Sequence, residues 1–328
     1  MKKIMLTGAT GYIGGLLLER LLALGHPVQA LVRNPAKFNK VHPLLTVYTG
    51  DIRDAAAVRE ASRGCEIAYY LVHGLEEPSS FEYQEALSAQ VFTEVANHSE
   101  LSRIFYLGGL GEGGDLSPHL RSRQLTGKIL GLGRTPVTEV RASIVLGRGS
   151  ASYEMLSLLA GRLPFFVQPR NLTALCQPIW VEDLLAYLTR CLEVPDTLPT
   201  LIEVGGQDQL SYSDLLLKVA SRSGIYRKVI PAPEIDTRIL AEAFEIICPE
   251  YARLGRRLME SLSHPTVVHH AEVARQLFPS IHPVGVEQAL DSIGPIQADH
   301  LALISPEHTR KVIRMFKDRF PQLRFLPI

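Results

Sequence analysis

Short unbroken apolar runs alternate along the chain with longer stretches in which apolar residues recur every three or four positions. The runs Ile4–Leu6, Val28–Val32, Leu45–Tyr48, Glu66–His73, Arg103–Leu107 and Pro136–Leu146 predict buried strands. Between them, Tyr12–Leu24, Asp54–Ser62, Phe81–Asn97 and His119–Leu132 carry helical spacing. Gly25 and Pro27 stop the first helix, and Ser117-Pro118 supplies an N-cap with proline at the first helical position of the fourth. Strand and helix in strict alternation, with crossovers long enough for parallel pairing, predict an α/β fold built on a doubly wound parallel sheet.

The rhythm continues through helices at Ser150–Ala160, from Gln177–Asp183 to about Glu193, and at Ser211–Ser221, with a late strand at Leu201–Val204. Arg162–Pro169, aromatic and broken by prolines, is expected to wall a cleft rather than extend the sheet. Past Ile225 the glycine-punctuated pattern fades. A strand-like Arg227–Ile230 remains, with helical pieces at Ile239–Ile247, Tyr251–Leu262, Val286–Ile293 and Pro306–Phe320. Residues 1–224 are therefore expected to form a nucleotide-binding domain of Rossmann type, some of it from about 148 onward on the substrate side. Residues 225–328 are expected to form a smaller C-terminal lobe over the open end of the sheet.

The first strand runs into Thr7-Gly-Ala-Thr-Gly-Tyr-Ile-Gly14 and straight on into a helix. The leading N–H groups of such a helix have no partner within it, and the helix dipole adds positive potential, so the turn suits a pyrophosphate. Gly8 would permit the tight turn, Gly11 the approach of backbone to phosphate and Gly14 the packing of helix on strand. Ala9, Thr10, Tyr12 and Ile13 complete the loop. At the end of the second strand, where an acidic residue would bind a free ribose 2′-hydroxyl, stand Arg33 and Asn34. A guanidinium there fits a 2′-phosphate, which predicts NADP (NADPH) in preference to NAD. Asp51 and Ile52 are placed for the adenine, although Asp51 can equally cap the following helix. Leu71, Val72 and His73 would follow the middle of the cofactor, with a loop from Gly74. The run Leu107–Gly114 lacks the Gly-Lys-Ser/Thr ending of a P-loop, so Gly108 and its neighbours are expected to let backbone approach the nicotinamide or the substrate.

Composition narrows the classes. Lysine plus arginine number 34 and aspartate plus glutamate 34, so no field favours nucleic acid. Cys65, Cys176, Cys191 and Cys248 are scattered without metal-like spacing and read as core residues in a reducing, cytoplasmic setting. No apolar stretch is long enough to span a bilayer. A small-molecule substrate of apolar character is the expected partner.

Thr7–Gly14, Leu31-Val-Arg-Asn-Pro35, Gly50-Asp51, Arg141-Ala-Ser-Ile-Val-Leu-Gly147 and Gln177-Pro-Ile-Trp-Val-Glu-Asp-Leu184 occur in an order that resembles the atypical short-chain dehydrogenase/reductases. Tyr70–Gly74 and Leu116–Arg123 are similar to NAD(P)-binding members related to nitrogen-metabolite-repression regulators, in a bacterial branch of that group. The resemblance covers residues 1–224, weakens to about 294 and does not reach the tail. It implies an NAD(P)-dependent oxidoreductase. Catalytic members carry Tyr-x-x-x-Lys on the helix after the fifth strand and a serine or threonine at that strand's end. This chain has His119-x-x-x-Arg123 and Gly108-Gly109 there. Arg123 keeps its proton at any working pH, whereas His119 can act as acid or base near neutrality.

Two functions follow. One is an NADP(H)-dependent reductase of a small apolar carbonyl or quinone, with His119 and Arg123 catalytic and Phe165, Phe166 and Trp180 as apolar walls. The other is a non-catalytic NADP(H)-binding sensor or scaffold, consistent with a retained glycine loop and a missing tyrosine–lysine pair.

Overall fold

The structure, a computed structural model, describes residues 1–73, 81–113, 116–163, 165–170, 173–194, 199–252, 255–256, 259, 262–301 and 305–320. The loop expected from Gly74, the final glycine of the 107–114 run and the tail beyond 320 lie outside them.

Seven strands form one parallel sheet: β1 (Ile4–Thr7), β2 (Val28–Val32), β3 (Leu45–Thr49), β4 (Ile67–Tyr70), β5 (Arg103–Gly109), β6 (Val137–Ala142) and the late strand Leu201–Val204. Their spatial order is β3-β2-β1-β4-β5-β6 and then Leu201–Val204 at the edge. The crossover between β1 and β4 is the switch point at which ligands lodge in such sheets. The alternation within β1 shows why helices cover both faces. Ile4 and Leu6 pack with α1 (Tyr12–Ala23) on one side, while Met5 faces α2 (Ala55–Ser62) and α3 (Phe81–Ala96) on the other. A strand buried on both faces cannot alternate with polar residues, which is why these runs read as continuously apolar.

Helix α4 (Pro118–Leu130) returns from β5 and packs on α3. The expected strand Pro136–Leu146 divides. β6 ends at Ala142, and after Ser143-Ile144 the pair Val145–Leu146 (β7) leaves the main sheet. Beyond α5 (Ala151–Arg162), β8 (Phe165–Pro169) stays outside the main sheet and pairs in parallel with Lys228–Ala232. Ile179–Trp180 pairs instead with β7, and the helix Val181–Arg190 follows it to cover α1.

Past position 224 the described residues serve three cores, one of them formed by Val286, Ala289 and Leu290 of the helix Val286–Ile293 with Leu215 and Val219. Phe244 and Ile247 of the helix Thr237–Ile247 join Met155 and Leu158 of α5 and Val312 and Phe316 of the helix Pro306–Arg319. Ala274 and Phe278, by contrast, join the core beneath the sheet, with the Phe278 ring edge-on to Tyr187 at 5.6 Å. The short helix Ala271–Leu277 that carries Ala274 is a seven-residue element without a capping side chain, so no periodic signal announced it. It is stapled to the sheet edge by Glu203, whose Oε2 accepts from the backbone N–H groups of His269 at 2.8 Å and His270 at 3.0 Å.

Candidate functional site

A cleft of about 540 Å³ opens along the carboxyl ends of the central strands. Its floor begins where β1 meets α1. Gly8 has φ 75°, and a Cβ there would come within 2.7 Å of the Leu71 carbonyl oxygen. At Gly14 a Cβ would fall 2.1 Å from the Gly8 carbonyl oxygen. Helix and loop thus touch backbone to backbone, which only glycine allows. Gly11 N–H donates to Gly8 O at 2.9 Å and closes the turn. As N-cap, Gly11 brings no side-chain acceptor to the first turn of α1, and no acidic residue lies in that turn. Backbone donors and helix dipole are left for an anion. Thr7 Oγ1 donates to Tyr69 O and accepts from Leu71 N, each at 3.1 Å, fixing the end of β4 beside the loop.

Gly8, Thr10, Gly11, Tyr12, Ile13 and Gly14 all line the cleft, whereas Ala9 is buried beneath it. Burial, with lesser pushes from Glu154 and Glu182, raises the Tyr12 hydroxyl to about 12, so it stays a neutral donor. Arg33, Asp51 and Ile52 line one end. Asn34 points elsewhere: its Oδ1 caps the short 3-10 turn Pro35–Lys37 by accepting from Ala36 N at 3.0 Å. Asp51 is paired with a residue the sequence reading passed over. Arg53 meets it through Nε–Oδ1 and Nη2–Oδ2 contacts of 2.8 Å each and through its backbone N–H at 2.9 Å. The hydrogen bonds from Arg53, with a smaller pull from Arg33, hold the Asp51 carboxyl below the usual carboxylate range. This end of the cleft therefore carries two guanidinium groups around one carboxylate.

Leu71, Val72 and His73 leave the sheet after Tyr70 and line the middle. At the far end stand Gly108, His119 and Arg123. Ser117 caps α4, its Oγ accepting from Leu120 N at 3.3 Å, and so fixes the turn that carries His119, which is 8% exposed. Arg123 Nη2 donates to the Leu107 carbonyl, and the Tyr106 hydroxyl donates to Arg123 O at 2.8 Å. The glycines here make room for side chains. A Cβ at Gly108 would sit 2.3 Å from Glu139 Oε1, and one at Gly109 would be 3.3 Å from Arg123 Nε. Glu139 is itself held by Arg141 Nε at 2.8 Å.

The wall opposite carries hydroxyls that the motif reading missed. Ser143 Oγ lies 2.8 Å from Thr266 Oγ1, and the Tyr212 hydroxyl 3.1 Å from the same atom. Burial, then the nearby Cys176, pushes the Tyr212 hydroxyl well above the ordinary phenol range. Phe165, Phe166 and Trp180 are not part of this cleft: Phe166 is 4% exposed in a core, Phe165 packs on the C-terminal core and Trp180 packs beside α5 and the helix it precedes. All four cysteines are buried and unbridged. Among the described residues there is no group of three or more possible metal ligands and no helix long and apolar enough to cross a membrane.

The cradle fits a dinucleotide: loop and helix meet without side chains between them, the helix N-terminus faces the cleft, and the guanidinium groups of Arg33 and Arg53 stand at one end of it. Residues 8–130 match a family model described as NAD(P)H-binding. The dihydroflavonol 4-reductase of Zea mays is 31% identical over 77 residues, 21% of this chain and 22% of that protein. The chain thus matches about a quarter of the length of the curated relatives. Two solved structures share the fold over most of both chains. Triphenylmethane reductase of Citrobacter sp., complexed with NADP(H), has a TM-score of 0.68 at 17% identity, covering 88% of this chain and 100% of its own. The NADPH-dependent quinone oxidoreductase of Escherichia coli, complexed with NADPH, has a TM-score of 0.67 at 18% identity, covering 88% and 99%. The chain thus carries an NAD(P)H-binding segment over residues 8–130, and its strand order is that of the Rossmann-type fold it shares with these solved structures.

Proposed function

We propose that the protein is an NADP(H)-dependent reductase of a small, apolar carbonyl or quinone, with Arg33 selecting the phosphorylated cofactor and His119 and Arg123 serving the reacting end. One observation carries this reading: a single cleft joins the glycine cradle and Arg33 to His119 and Arg123. A reduced nicotinamide bound there supplies hydride, two electrons and one proton, to the acceptor carbon. The chain must bind, orient and supply the balancing proton to the acceptor oxygen. His119 can hold and pass that proton near neutral pH. Arg123, one turn further along α4, provides a fixed positive charge that stabilises negative charge growing on the oxygen. Leu71 and Val72 exclude water from the middle of the cleft. The relatives named above, each described as a reductase or oxidoreductase, support a reductive reading, and two of them are complexed with the phosphorylated cofactor.

One contact favours a second reading, a non-catalytic NADP(H)-binding sensor or scaffold. The Arg123 guanidinium already donates to the Leu107 carbonyl, which turns part of its charge into the β5 end. Fluorescence titration separates cofactor preference from turnover. NADPH is expected to bind at least tenfold more tightly than NADH, and Arg33→Ser to erase most of that difference. NADPH oxidation across quinones and aldehydes is expected to exceed buffer, and His119→Ala to lower it about a hundredfold. Tight NADPH binding with no oxidation of any acceptor would select the sensor; equal affinities for the two cofactors would remove the role of Arg33.

A further inference from the structure

A second cavity, about 170 Å³, lies in the C-terminal half between α5, β8, the helix Tyr212–Arg222, the helix Thr237–Ile247 and the helix Pro306–Arg319. Its walls include Leu156, Leu216, Leu240, Phe244, Val312 and Phe316. Among the described residues, the side-chain polar groups at its edge are the hydroxyls of Tyr212, Ser213 and Thr309. The space is partly open to solvent, and water in it meets aliphatic and aromatic side chains that offer few polar partners. Its volume is close to the roughly 150 Å³ of an apolar cavity that takes up a benzene ring. An aryl or short alkyl group entering this space leaves water and packs against those side chains.

The cavity and the cleft share one wall residue. Among the described residues Tyr212 alone lines both spaces. It is the first residue of its helix, set by the Ser211 cap, whose Oγ accepts from Asp214 N at 3.1 Å. Its hydroxyl is held on the cleft side by Thr266 Oγ1, 2.8 Å from Ser143 Oγ, while its apolar body borders the leucines of the cavity. An amphipathic ring in that position offers a polar tip to a reducible head group and an apolar edge to whatever trails behind it.

We propose that this apolar cavity binds an aryl or alkyl substituent of the acceptor reduced in the cleft, with Tyr212 at the junction between the two. The inference rests on the reductase reading and narrows its substrate class: a polar, reducible head bearing an apolar substituent of about six carbons. Each methylene that enters should lower KM about fourfold until the cavity is filled. No residue assigned to the cofactor or to proton transfer is needed for this effect, so it can be altered separately.

The test uses the full chain and two independent readouts. Butylbenzene, which cannot be reduced, is expected to raise the melting temperature of the wild type by binding the folded state. Leu240→Trp, which fills the space, is expected to abolish that rise while still binding NADPH; Leu216→Phe is the milder filling variant if the first fails to fold. In turnover, KM should fall through methyl-, butyl- and hexyl-substituted benzoquinones for the wild type and stay level for the filled variant. Absence of any butylbenzene effect on the wild type, or a chain-length dependence that survives in a folded Leu240→Trp, overturns the proposal. Butylbenzene binding that the filling variant blocks, with no acceptor reduced by either protein, overturns the reductase reading and retains the cavity as a hydrocarbon site.

Discussion

Gly14 and Gly15 are neighbours in sequence, yet a methyl group would meet different surroundings at each. At Gly14 it would collide with the Gly8 carbonyl at 2.1 Å; at Gly15 the nearest atom outside the helix is Ala9 O at 3.5 Å, an ordinary contact. Gly14→Ala must therefore push α1 off the loop, at a cost of about 1–3 kcal/mol, and should weaken NADPH binding roughly tenfold or more. Gly15→Ala should do the reverse to stability, since replacing an interior helical glycine gains up to about 1 kcal/mol. Calorimetric melting with a cofactor titration on both variants checks the contrast, and equal behaviour of the two would refute it. The same scale separates two arginines. Arg33 announced itself by its place at the end of a strand. Arg53 did not, because its contact with Gln84 at 2.5 Å depends on α3 lying against the loop in which it already pairs with Asp51.

At the scale of elements, α4 decides what the end of the cleft away from Arg33 can be. Ser117 caps it, Pro118 opens it, and the next turn presents His119 and, one turn on, Arg123. The cap was visible as Ser-Pro before a periodic stretch. The crowding beneath it was not: Gly127 of α4 and Gly108 of β5 both face the Glu139 carboxylate, with Cβ positions 2.7 Å and 2.3 Å from its oxygens. Removing the cap by Ser117→Ala should cost about 1 kcal/mol. Chemical denaturation would read that loss, and a Ser117→Asp variant should restore much of it; a Ser117→Ala protein as stable as wild type would show that tertiary packing alone holds this turn. Strand β6 offers the complementary case. Its apolar run continued to Leu146 in sequence, but Ser143 turns to Thr266 and β7 pairs with Ile179–Trp180 instead of extending the sheet.

At the scale of the molecule, the C-terminal residues complete the site rather than merely cover it. Thr266 brings its hydroxyl to the cleft between Tyr212 and Ser143, and Glu203, a residue 2% exposed on the edge strand, holds the 269–270 backbone. Glu203→Ala would strand two backbone donors, for a loss of about 3 kcal/mol, and should loosen the segment that carries Thr266. Hydrogen exchange of residues 266–278 together with thermal melting reads this directly; Glu203→Gln, which keeps a carbonyl acceptor, should recover most of the loss, and unchanged protection in Glu203→Ala would refute the staple. The sequence by itself determined the α/β alternation, the parallel sheet and the glycine cradle, because strand burial, helix periodicity and the backbone freedom of Gly8 and Gly14 are requirements written into consecutive residues. Only the tertiary structure decided that Arg53 reaches Gln84, that Phe165, Phe166 and Trp180 pack away from the cleft, and that Ser143, Thr266 and Tyr212 meet. Those outcomes join side chains far apart along the chain, and their contacts exist only once the helices and the returning C-terminal segment have found their places on the sheet.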